Sequence, residues 1–284
     1  MTTLAAARSA PRHTLFRRAA ALIAVTATAF LAACAGLGVG TGPLPPPPEI
    51  GLYELRIYTA AEGRKNELDS RFRDHTLRLF RKHGMTPIGF FNVKTAPDAP
   101  RDNRLFYIMG YTDRAARDAA WRSFSADQDW VSVYAASEAR GSLLAKAPES
   151  IFLTTTDYSP RLDMGSGPLA PRLFELRTYT VNPGKLENLH TRFRDHTLRI
   201  FAKHGMTNFL YWRPAEGQPA MENKMVYLLA FPDIEARTTA FRNFSADPEW
   251  QKVAADSQKD GTILASPGGV VSVQLEPTDY SPLK

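Results

Sequence analysis

From Tyr53 to Thr59 apolar and polar positions alternate, placing Tyr53, Leu55 and Ile57 on one side of an extended chain and Glu54, Arg56 and Tyr58 on the other. The same order returns at Phe174 to Thr180. A helical pattern follows the first strand from about Arg64 to His83, where Gly84 stops it and Pro87 lies just beyond. Ile88 to Val93 and Leu105 to Tyr111 read as two strands joined by a proline-containing loop. A second helix begins near Asp113 and breaks at Ser125-Ala126-Asp127; in the later copy Asp247-Pro248-Glu249 supplies the N-cap, N1 proline and early acid of a fresh helix start. Ile151 to Thr156 and Val270 to Leu275 each close a unit as a strand. The order is βαββαβ, the ferredoxin-like arrangement.

The chain carries that unit twice. Arg-Phe-Arg-Asp-His-Thr-Leu-Arg stands at Arg71 to Arg78 and again at Arg192 to Arg199, and Asp157-Tyr158-Ser159-Pro160 answers to Asp279-Tyr280-Ser281-Pro282. The first copy spans residues 51–159, a Gly- and Pro-bearing linker spans 160–171, and the second copy spans 172–284. A sheet whose helices cover one face leaves the other bare, so two copies are expected to bury their bare faces together, as a dimer within one chain.

Residues 1–33 belong to neither copy. Arg8, Arg12, Arg17 and Arg18 precede an apolar run from Ala19 to Leu31, the pattern of a signal peptide and shorter than the ~20 residues of a bilayer span. The run ends in Leu31-Ala32-Ala33-Cys34, which resembles the lipobox of bacterial lipoproteins. Cys34 is the chain's one cysteine, so the expected mature protein has a lipidated N-terminus and no free thiol. Residues 34–50 form a Gly- and Pro-rich tether from a membrane, with the outer membrane favoured. Removing four leader arginines lowers the formal charge from +6 to +2, so the basic balance carries no nucleic-acid signal.

Tyr53 to Thr59, and more clearly Phe174 to Thr180 with Pro183-Gly184-Lys185, resembles the opening of NIPSNAP domains; Asp247-Pro248-Glu249-Trp250 is similar to a later stretch of that family. The first copy departs from it, with Ala61-Glu62-Gly63 where the second has Asn182-Pro183-Gly184. The resemblance implies an α+β fold in which two tandem ferredoxin-like units pair as an intramolecular dimeric α+β barrel. Small monooxygenases, haem-using enzymes and isomerases share that fold, which by itself warrants no activity.

Glu54, Arg56 and Tyr58, with Glu175, Arg177 and Tyr179, are the candidate catalytic residues, since period-two spacing sets each trio on one face, expected to look into the space between the units. A structural ion pair with a tyrosine hydrogen bond competes with an anion-binding or proton-transferring cluster. His75 and His196 are candidate ligand-binding residues between helix and sheet, whereas His83 and His204 precede helix-ending glycines and suit the last carbonyls. Arg71, Asp74 and Arg78 have the spacing of surface ion pairs on a helix. His75 and His83 lie about 12 Å apart along a helix, too far to share a metal. No cofactor is predicted; haem through a single histidine stays open. The expected role is a cell-envelope lipoprotein that binds a small ligand or an envelope protein. The alternative is a small-molecule enzyme, a cofactor-free oxygenase or isomerase or a haem-dependent catalyst.

Overall fold

The computed structural model describes residues 49–162, 164 and 172–284. The leader and Cys34 lie outside the described residues. In the first copy β1 (Leu52–Thr59) leads into α1 (Lys65–Arg71), a π-helical turn (Phe72–Thr76) and α2 (Leu77–Lys82). There follow β2 (Thr86–Val93), β3 (Arg104–Tyr111), α3 (Arg114–Ala126), α4 (Gln128–Glu138) and β4 (Glu149–Thr155). The second copy repeats them as β5 (Leu173–Thr180), α5 (Leu186–Arg192), a π turn (Phe193–Thr197), α6 (Leu198–Lys203), β6 (Thr207–Pro214), β7 (Lys224–Phe231), α7 (Ile234–Ala246), α8 (Pro248–Asp256) and β8 (Val270–Pro277). Local chemistry sets the boundaries. Asp113 and Asp233 accept the Ala116 and Ala236 amides and so cap α3 and α7, while Asp127 and Asp247 cap α4 and α8. Gly84 and Gly205 take the left-handed conformation that ends α2 and α6.

The strands close a barrel in the order β1-β3-β2-β8-β5-β7-β6-β4. Two antiparallel ladders join the copies, β2 with β8 (Phe91 opposite Pro277) and β4 with β6 (Leu153 opposite Pro214). Closure leaves no sheet edge unpaired. The shared interior is filled by Tyr53, Leu55, Phe91, Phe174, Leu176 and Trp212 among others. Tyr53 meets Trp212 edge-on with ring centroids 5.7 Å apart, and Phe91 meets Phe174 at 5.2 Å.

This packing reverses one expectation. Glu54, Arg56 and Tyr58 do not look into the space between the copies; Tyr53 and Leu55 do, and the charged trio lies on the outer face under its own helices. Alternation defines two faces without saying which is inside. The helix side offers the buried carboxylate arginine partners, and the aliphatic and aromatic interior offers none.

The octapeptide also differs from its helical-wheel reading, because both copies of it carry the π turn. Thr76 Oγ1 donates to the Arg71 carbonyl at 3.0 Å and Thr197 Oγ1 to the Arg192 carbonyl at 3.0 Å, each spanning five residues. The widened turn shifts the helix phase, and the arginines no longer form pairs along their own helix. Arg71 and Arg192 are buried. Arg73 makes a double hydrogen bond to Asp279 (2.6 and 2.7 Å) and Arg194 to Asp157 (2.7 and 2.8 Å). Arg78 reaches Asp129 and Arg199 reaches Glu249 across to the next helix.

Those aspartates begin the repeated Asp-Tyr-Ser-Pro segments, and each segment crosses to the other copy. Tyr280 lies parallel to Phe72 (centroids 6.5 Å, 9°), touches Phe90 at 5.8 Å and donates its hydroxyl to Asp69 Oδ1 at 2.9 Å. Tyr158 packs on Tyr211 and hydrogen-bonds His190. Each copy thus completes its partner's helix layer. Tyr280→Ala is expected to destabilise the protein by about 3–5 kcal/mol, read by urea unfolding; a loss below about 1 kcal/mol contradicts the crossed-tail account.

Candidate functional site

β1 runs between β3 and β4, with Arg56 opposite Tyr107 on one side and Ser150 on the other, so three polar side chains share the outer face. The Glu54 carboxylate, fully buried, accepts from Arg56 Nη1 (2.7 Å), Ser150 Oγ (2.6 Å), and Arg117 of α3 through Nε (2.9 Å) and Nη2 (2.7 Å). The remaining Arg56 donors go to Tyr107 (2.8 Å) and Tyr58 (3.4 Å), and its guanidinium lies 4.4 Å from the Trp121 ring centre. The second copy repeats the set with Glu175, Arg177, Arg237, Ser272, Tyr227 and Tyr179, Phe241 standing where Trp121 stands. Burial alone pushes the Glu54 carboxyl up; the hydrogen bonds from Arg117 and Ser150 and the charge of Arg56 more than reverse this and hold it at about 2. Glu175 is lowered by the same balance, with Arg237 and Arg177 outweighing burial. These carboxylates are ionised and saturated with donors, so they tie sheet to helix and are poorly placed to take a proton.

Beside this cluster a cavity of about 190 Å³ opens between β1 and the helices of the first copy. Tyr58, Phe72, Phe80, Trp121, Phe124, Trp130 and Tyr134 form its aromatic walls, and Arg71, Thr76 and Glu138 supply polar groups. Arg71 donates to Glu138 Oε1 at 2.8 Å and lies 5.5 Å from the Trp130 ring centre. Of the candidate trio only Tyr58 lines this cavity. The π turn places Phe72 and Thr76 in its wall, a use of π-bulges that recurs at functional sites.

His75 and His196 are exposed and line matching open grooves, His75 between α1 and α4 and His196 between α5 and α8. The expected position between helix and sheet is therefore corrected to one between two helices, since the π turn directs the histidine away from the sheet. Glu67, Ser70 and Asp74 stand beside His75, and Glu187, Glu249 and Asp256 beside His196, in grooves whose exposed surface is mostly apolar. His83 and His204 bind side chains: His83 Nε2 lies 2.6 Å from Asp127 Oδ2 and His204 Nε2 2.6 Å from Asp247 Oδ2, tying the ends of α2 and α6 to the N-caps of α4 and α8.

A NIPSNAP family profile matches residues 53–160 and again 174–282. The chain belongs to the NIPSNAP family. No curated protein matches it. Among solved structures, an anthrone oxidase-like protein superposes with a TM-score of 0.51 at 10% identity, over 83% of this chain and 95% of that one, a likeness of fold alone. A Fusobacterium nucleatum protein provisionally called a monooxygenase gives 0.49 at 12% identity, over 80% of this chain and 92% of its own. A NIPSNAP family protein of unknown function from Agrobacterium tumefaciens gives 0.34 at 21% identity, covering 40% of this chain and 94% of that one.

Several residues at the site carried weak sequence signals. Arg117 and Arg237 are matched arginines near the starts of α3 and α7, and Trp130 and Trp250 are matched tryptophans, so comparing the copies finds them without saying what they touch. His190 escapes that comparison because Asp69 occupies its place in the first copy. It is fully buried, its Nδ1 lies 2.7 Å from the Tyr158 hydroxyl, and burial, reinforced by Arg213, lowers its pKa to about 4. Arg56→Met and Arg177→Met each leave a buried carboxylate short of a cation, and each is expected to cost about 3–5 kcal/mol in urea unfolding. Unchanged stability in either variant contradicts the bridging role.

Proposed function

We propose that this NIPSNAP chain binds a compact, largely apolar small molecule in the aromatic cavity of its first copy. One observation carries this reading: seven aromatic side chains and the Arg71–Glu138 pair enclose about 190 Å³ directly under the helix layer. That volume is below the usual ~300–1,000 Å³ of ligand pockets, which points to a ligand about the size of one ring. The Tyr58 hydroxyl and Arg71 give it polar groups for orientation, and the aromatic faces give it dispersion contacts. The space between the copies supports no such role, because side chains fill it. Binding is favoured over proton-transfer chemistry because Glu54 is committed to its arginines. Indole is a suitable probe. It is expected to raise the melting temperature of the wild-type chain, and Leu144→Trp, which fills the cavity from its rim, is expected to abolish that shift while Leu264→Trp in the other copy preserves it. An equal indole shift in Leu144→Trp, or none in the wild type, rejects the cavity as the site.

We also propose that the protein is held at the periplasmic face of a bacterial envelope membrane by lipid on Cys34. Support comes from sequence alone: the basic leader, the short apolar run, the Leu-Ala-Ala-Cys junction and the Gly- and Pro-rich tether. Labelled palmitate fed to cells is expected to enter the full chain and not its Cys34→Ser variant. Equal labelling of both, or of neither, rejects the anchor.

A further inference from the structure

Arg71 and Arg192 hold matching positions at the ends of α1 and α5, yet the two copies treat them differently. Arg71 donates to Glu138 at 2.8 Å and to Ser137 Oγ at 3.0 Å, with the rings of Trp130 and Tyr134 at 5.5 and 5.7 Å from its guanidinium carbon. In the second copy Gln258 stands in place of Glu138 and Ala254 in place of Tyr134. Gln258 turns elsewhere: its amide donates to the Ala254 carbonyl at 3.0 Å and its oxygen accepts from the Ile263 amide at 3.4 Å. Arg192 keeps the Trp250 ring at 5.3 Å and one long hydrogen bond, 3.4 Å, to Ser257 Oγ. It is 6% exposed and its Nε, like that of Arg71, has no partner, but unlike Arg71 it has no ion pair among the described residues.

A desolvated guanidinium without a counter-charge is costly, and burial lowers the Arg192 pKa against the opposing influence of Tyr179 and Tyr227. The acids on the same groove are committed to other cations. Glu187 binds Arg213, Glu249 binds Arg199, and Asp256 binds Lys252 and Lys259. His196 lines the same wall.

We infer that the second copy binds a small aromatic monocarboxylate at Arg192, Ser257 and Trp250, where the ligand's ring and carboxylate take the places that Tyr134 and Glu138 fill in the first copy. The first copy thus contains its own stand-in for the ligand. Arginine's planar fork matches a carboxylate, and Ala254 carries no ring where the first copy has Tyr134. Charge selects the class. One buried cation flanked by Glu187, Glu249 and Asp256 suits a monoanion better than a phosphate dianion.

The site is separate from the first-copy cavity, so its test is independent of the indole experiment. Benzoate and phenylacetate are titrated calorimetrically into the full-length chain, with inorganic phosphate as comparator. One of the two carboxylates is expected to bind, with affinity lowered about tenfold or more by Gln258→Glu and by Ala254→Tyr, and unaffected by Leu144→Trp. Gln258→Glu keeps the arginine and gives it a partner, so its melting temperature is expected to rise and misfolding cannot account for lost binding. Absence of binding by both carboxylates up to about 10 mM, weaker than the ordinary range of specific sites, overturns the proposal. So does equal affinity in Gln258→Glu, or tighter binding of phosphate than of either carboxylate.

Discussion

A four-stranded sheet with helices on one side has a bare face and two open edges, and both liabilities must be removed together. In this chain β2 pairs with β8 and β4 with β6, which closes the edges into a barrel and brings the bare faces around a common interior. Everything else follows from that closure. The interior takes the large apolar side chains, so the polar face of β1 and β5 is left to the helices. The crossed Asp-Tyr-Ser-Pro tails then tie each helix layer to the other copy, making the two halves mutually dependent.

Beneath the helices, buried charge is tolerated because it is fully paired. Glu54 sits between an arginine from its own strand and one from α3, with Ser150 donating to the same carboxylate and Tyr107 and Tyr58 accepting from Arg56. Such a cluster specifies which helix face meets the sheet more than it adds to net stability. The cavity beside it has Phe72 and Thr76 of the π turn in its wall, with Arg71 buried against the Trp130 ring.

Duplication permits the copies to diverge where pairing does not constrain them. The bridging carboxylates, their arginines and the crossing tails are matched in both copies. Around the buried arginine they differ: Glu138 and Tyr134 in one copy, Gln258 and Ala254 in the other. One copy therefore pairs its arginine with a carboxylate, and the other gives it only the Ser257 hydroxyl.

The βαββαβ order, the copy boundaries and the family were legible in the sequence, because alternation, capping residues and a repeated octapeptide are local signals. The α4 and α8 starts were legible for the same reason, since Asp127 and Asp247 mark a chain break before new helices. Of the octapeptide's arginines, Arg73, Arg78, Arg194 and Arg199 are exposed as surface spacing implies, whereas Arg71 and Arg192 are buried, since a helical wheel assumes a constant turn and a π turn breaks it. Partners such as Asp279 for Arg73 lie far along the chain, and no spacing rule reaches them. By itself, then, the sequence determined the elements, their duplication and which side chains share a face. Only the tertiary structure decided which face is inside, because that depends on where partners for buried charge are found once the barrel has closed.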